Sequence, residues 1–277
     1  SFSISKIVVS SNDHPLSILF YQNIISFIFL GIFYFFNFKK FKITSQIFNF
    51  FFLISISGVV IPGTLFYIAA SKVPAGILSL SVAFVPMLTY VSSLYLKIET
   101  FSLLRISGVF LGFIAIFLLV GPPDSFADRS MVPWVLLAMI CPICYTFENV
   151  FIDVKKPIEV NSITLALGSS GLTILILLPV VFYFELFIDI KYPFQKIEFS
   201  IIALGFITAV AYTLFIYLIT NAGAVFASNV GYVVTISGVI WGIVLFQETH
   251  SYWVWLSLIT MIIGLSLVSP RRKTKKY

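Results

Sequence analysis

LKIET, residues 96–100, returns as LFQETH at residues 245–250: Leu96 falls on Leu245 and Glu99-Thr100 on Glu248-Thr249, a shift of 149. The same shift lays Thr64-Leu65-Phe66 on Thr213-Leu214-Phe215, Ala75 on Ala224 and Ser79 on Ser228, and puts Ala115 on the equally small Gly264. Each coincidence is weak alone. Together, in one register without gaps, they mark a duplication.

What is duplicated follows from composition. The 277 residues are 60% hydrophobic and only 10% charged, with a mean hydropathy of +1.07. Soluble domains carry roughly a quarter charged residues, so the main solvent here is lipid. Nine apolar runs approach the ~20 residues that cross a bilayer: 16–36, 46–70, 73–96, 103–120, 132–152, 163–187, 199–219, 224–246 and 252–268. Residues 1–10 are apolar enough for membrane but cover about half a hydrocarbon core at ~1.5 Å per residue. They read as the back half of a first helix, with no cleavable signal peptide. The expected fold is an all-α integral membrane protein of ten transmembrane helices. Five per repeat is an odd number, so the second repeat enters the membrane in the opposite sense. Such inverted repeats are typical of secondary transporters. The expected units are residues 1–120, residues 131–269 and a basic tail at 270–277.

Charge sets the orientation. Twelve Lys and Arg residues fall on one set of alternate loops and the C-terminal tail, from Lys39 to Lys276; the opposite loops hold four, Lys72, Arg129, Lys191 and Lys196. Basic residues favour the cytoplasmic side, so both termini are expected there, in the inner (plasma) membrane. Trp134, Trp253 and Trp255 then sit near outer helix ends, as interfacial anchors. The formal charge of +6 is a topology signal, not a nucleic-acid stripe. The Phe-rich runs FYFF (33–36) and FNFFFL (48–53) read as lipid-facing surface.

The stretch ASKVPAGILSLSVAFVPMLTYVSSLYLKIETFSLLRISGVFLGFIAIFLL, residues 70–119, resembles the fourth and fifth helices of EamA-type drug/metabolite transporters. The pattern is a small-residue helix start, a mid-helix Pro86, Glu99 after the helix, then a helix bearing Gly108 and Gly112. Residues 222–268 resemble its second copy, with Glu248 and Gly264. The resemblance implies ten helices, both termini inside, and a central substrate cavity. Two departures stand out: Thr235 where the second copy often has Pro, and Gln22 or Asn23 where a basic residue is common.

CPIC, residues 141–144, has the spelling of a thiol-redox motif, but such motifs need a water-reachable thiolate. Inside a membrane helix, small packing residues beside a kinking Pro142 are the reading. Glu148 and Asn149 follow in the same run. An ionisable group in a span costs at least ~2.5 kcal/mol and normally faces protein or water. Glu148 is therefore a candidate for substrate binding or proton coupling, against a snorkelling carboxylate or a structural ion pair. Lys6 holds nearly the repeat-related place; it would neutralise an anionic substrate group or reach the interface with its long stem. Tyr67, Ser79, Tyr90, Tyr212, Ser228, Asn229 and Tyr232 are candidate cavity-lining residues, against interhelical hydrogen bonding by the same residue types. Gly108/Gly112 and Gly238/Gly242 favour internal helix packing over a homodimer. Thr100 and Thr249 read as helix N-caps. With no HExxH, GxSxG or paired intramembrane Asp, no catalytic residues, metal or cofactor are expected.

The sequence thus points to a carrier moving a small polar or amphipathic metabolite by alternating access, a monomer whose partners are its small-molecule substrate and the lipid bilayer. Amino-acid-like cargo leads by resemblance, with S-adenosylmethionine or nucleoside-type uptake next. A non-transporting scaffold or sensor would normally carry a soluble domain.

Overall fold

A computed structural model describes residues 2–9, 14–37, 42–126, 128–188 and 196–268. The tail at 270–277 and the loop lysines Lys39, Lys40 and Lys191 lie outside the described residues. The described residues are 84% helix. Ten helical segments follow one another: α1 (Phe2–Val9), α2 (Pro15–Asn37), α3 (Ser45–Ala70), α4 (Ala75–Tyr95), α5 (Leu103–Val120), α6 (Arg129–Lys155), α7 (Ser162–Tyr183), α8 (Lys196–Ala222), α9 (Ala224–Phe246) and α10 (Tyr252–Val268). The segments from α2 to α9 are each long and apolar enough to cross a membrane, and α10 is a 17-residue apolar helix. This is the expected two-repeat architecture.

The packing repeats as the sequence does. α2 packs on α7 and α5 on α10, each a helix against its own repeat mate; the contact of α3 with α6 recurs as that of α8 with α1. Polarity is inverted relative to a soluble protein. Phe35 and Phe36 are 81% and 78% exposed, while Ser55, Thr89, Asn149, Ser169 and Thr235 are buried. Lipid tails are as apolar as Phe, so helices in a bilayer associate through close packing and interhelical hydrogen bonds instead.

Proline sets three of the four helix breaks. A proline ring lacks the N–H and collides with the carbonyl four residues earlier. α4 is interrupted after Val82, four before Pro86, and α6 after Ala138, four before Pro142. In α3 the collision point is Gly58, and residues Ser55–Val60 widen into a π-helical turn before Pro62. α9 breaks at Asn229 without a proline. The unbroken pair α5–α10 meets backbone to backbone: Cβ atoms added at Gly108 or Gly264 would strike the other's carbonyl oxygen. Ser257 Oγ donates to Ala115 O at 2.7 Å, and Arg105 Nε to Val268 O at 3.0 Å. Gly112 fits against Met87 and Gly238 against Ser79, so both glycine stripes serve contacts within the bundle.

Candidate functional site

The broken helices α3, α4 and α9 each pack against the second half of α6, the fourth broken helix. Glu148 there is 2% exposed, and Tyr212 of α8 donates its hydroxyl to Glu148 Oε1. Gly58, in the π turn of α3, lies against the same carboxyl group: a Cβ at position 58 would overlap Glu148 Cδ and both oxygens. Pro62 opens the turn and glycine clears the space. π turns inside α-helices recur at functional sites.

Around this carboxyl lies a polar shell with the symmetry of the repeats. Tyr212 also hydrogen-bonds Ser169 of α7. In the other repeat Tyr67 of α3 donates to Gln22 of α2 and hydrogen-bonds Ser5 of α1. Each third helix thus sends one tyrosine to polar groups on the first and second helices of its own repeat. Gln22 Nε2 then crosses to Thr208 Oγ1 of α8 at 2.7 Å. Tyr145 lies one turn before Glu148 on the same helix. Asn149 is fully buried, and its amide nitrogen and oxygen meet no partner among the described residues. An unsatisfied buried amide is costly. Among the described residues no Lys, Arg or His lies within 4.0 Å of Glu148, and no cluster of His, Cys, Asp and Glu could hold a metal ion.

Lys6 lies elsewhere. Its ammonium pairs with Glu248 Oε1 at 2.8 Å, while the Glu248 carboxylate also accepts from Ala75 N at 2.8 Å and Gly76 N at 3.0 Å. Glu248 therefore closes the N-terminus of α4 from the loop after α9, where the helix dipole favours an anion. Burial would raise its pKa, but the bonds from Lys6 and the two amides, with the Lys6 charge, bring it below the ordinary value. His250, with Nε2 3.6 Å from Glu248 Oε2, is held down in pKa by burial; Glu248 opposes this and Lys6 adds to it. At the opposite end of the bundle Asp153 Oδ2 accepts from Ala224 N at 3.0 Å and closes α9 in the related place.

The remaining candidates are dispersed. Ser79 Oγ donates to Gly76 O and Thr235 O, and Thr235 Oγ1 returns a bond to Ser79 O at 3.0 Å, clasping α4 to α9. Tyr90 is fully buried, accepts from Ser102 N at 3.0 Å, donates to Thr100 O and lies under the Arg105 guanidinium. Ser228 donates to Val225 O within its own helix, Asn229 sits at the break in α9, and Tyr232 is partly buried against the apolar cluster that includes Ala83 and Met87. The threonines are not caps: α5 begins at Leu103 and α10 at Tyr252. Cys141 Sγ donates to Pro62 O at 3.3 Å, and both cysteines are free. Gly58, Tyr145 and Ser169 escaped the sequence reading. The spacing of Gly58 four before Pro62 was the available signal for the first; none marked the others.

Ten helices in two repeats around a buried carboxyl define a polytopic membrane protein of the transporter class. Residues 1–121 and 132–269 match the EamA-like transporter family, and the chain belongs to it. No curated protein matches the chain in sequence. A solved crystal structure matches over 96% of this chain and 92% of its own, with a TM-score of 0.67 at 14% identity, which establishes a shared fold.

Proposed function

We propose that this protein is a secondary carrier that moves a small polar or amphipathic metabolite bearing a positive group across the inner (plasma) membrane by alternating access. Amino-acid-like compounds are the leading cargo. The termini lie in the cytoplasm, and the protein acts as a transporter rather than an enzyme. The observation that carries this reading is Glu148: fully enclosed, bonded by Tyr212, and faced by no cation among the described residues. Burying a carboxylate without a counter-charge costs several kcal/mol, so the site favours a substrate ammonium or a proton as partner. Asn149 and the tyrosines add neutral donors and acceptors to orient the rest of the ligand. S-adenosylmethionine, whose sulfonium would serve the same carboxylate, is the second reading; an uncharged nucleoside leaves Glu148 unmatched.

The test is counterflow in proteoliposomes at two pH values, with labelled amino acids, nucleosides and S-adenosylmethionine, for wild type and Glu148→Gln. Saturable exchange of a cationic or zwitterionic cargo with a pH response that Glu148→Gln flattens is expected. Exchange by folded Glu148→Gln with wild-type affinity and pH response would remove Glu148 from the site. No exchange at all by folded wild type would favour a scaffold.

A further inference from the structure

We infer that the protein holds one anionic phospholipid in a groove between α4 and α6, independently of what it transports. The groove, of about 380 Å³, runs along α6 from Ile143 to Lys155 against Leu88 and Ser92 of α4 and Leu96 just past its end. Its walls are apolar and open outward: Ile143, Phe147 and Val154 are 59%, 50% and 49% exposed. Twelve residues of helix span about 18 Å at 1.5 Å each, slightly more than one leaflet of a core ~30 Å thick. An acyl chain therefore fits its length.

The end of the groove gives the headgroup. Val154 and Lys155 also wall a second pocket of about 580 Å³, bounded by Lys42, Lys156, Thr44 and Glu159. Three lysines and one glutamate line it. Lys156 is tied to Val160 O at 2.5 Å, and no carboxylate lies within 4.0 Å of Lys42 or Lys155 among the described residues. The pocket's charge calls for an anion, and Thr44 and Gln46 add polar lining. Burial lowers the Lys156 pKa, a cost that an adjoining phosphate would offset. A soluble anion would use the pocket and leave the groove empty. A phospholipid uses both, because they join at Lys155. Basic pockets beside membrane helices recur as sites for anionic headgroups.

The test uses the full chain, purified and delipidated, then returned to phosphatidylcholine nanodiscs with or without phosphatidylglycerol. Thermal unfolding and retained lipid by native mass spectrometry are read. Phosphatidylglycerol is expected to raise Tm and to be retained at about one molecule per chain. Lys155→Gln/Lys156→Gln should weaken retention about thirtyfold, or ~2 kcal/mol at about 1 kcal/mol per lysine beside anionic lipid. Ser92→Phe, which fills the groove and leaves every charge in place, should also release the lipid. Lys97→Gln, which removes a lysine charge outside the groove, should retain it. Equal retention of phosphatidylcholine, unchanged retention in both the double variant and Ser92→Phe, or equal stabilisation by soluble glycerol phosphate would overturn the site.

Discussion

Gly58→Ala puts the space around Glu148 to a direct test. In an ordinary helix interior, replacing glycine by alanine stabilises by about 0.8–1 kcal/mol. Here the new Cβ would coincide with the Glu148 carboxyl group, so that group must swing away and give up the Tyr212 hydroxyl. A hydrogen bond to a charged group contributes about 1.5–3 kcal/mol. Loss outweighs gain, and a net destabilisation of about 0.5–2 kcal/mol is expected. A loss of the same size in substrate affinity would be roughly two- to thirtyfold, since 1.4 kcal/mol is a factor of ten. Binding or counterflow in proteoliposomes, alongside Tm, measures both. Gly58→Ala/Glu148→Asp, with a side chain one methylene shorter, should recover part of the stability. Gly31→Ala is the control, because its nearest obstacle is Leu167 Cδ1 at 3.9 Å. A Gly58→Ala protein with raised Tm and wild-type transport would refute the reasoning.

Three further outcomes are expected. Glu248→Gln should lower unfolding free energy at neutral pH by about 2 kcal/mol, the scale of charge-assisted bonds. Because its folded pKa lies below the ordinary 4.5, that stabilisation is present above pH ~4.5 and lost as pH falls through the folded value; unfolding curves of both proteins against pH should converge in acid. Gly108→Ala should lower Tm, since prying α5 from α10 costs about 1–3 kcal/mol. Cys141→Ala and Cys144→Ala should leave transport indifferent to dithiothreitol, and a thiol-sensitive wild type would revive the redox reading.

The duplication, the ten segments and the interior position of Glu148 were legible because each is a local or periodic signal. Apolar run length reports the bilayer, and a carboxylate in such a run reports an interior position. Partners were not legible. Lys6 and Glu148 hold neighbouring positions in the repeat alignment, yet Lys6 meets Glu248, 242 residues away, because the α9–α10 loop folds over the start of α4. Tyr90 has the composition of a cavity residue, but its hydroxyl ties down the turn before α5. Residue type gives a polar side chain's chemistry, and only the packed helices decide whether backbone, neighbour or ligand uses it. The prolines were more telling than their sequence positions suggest: in α4 and α6 the break fell four residues ahead, where the ring meets the carbonyl.

The α5–α10 seam has a mechanical consequence. Each repeat donates one uninterrupted helix to it, and the two backbones touch where both chains lack a side chain, at Gly108 and Gly264. Axial slip of either helix would drive a neighbouring side chain into a carbonyl, so the two are obliged to travel as one rod. The duplicated halves are thereby yoked along one flank. A distance label bridging α5 and α10 should read the same length in both states of the proposed alternating access, which makes that pair the fixed ruler for testing it.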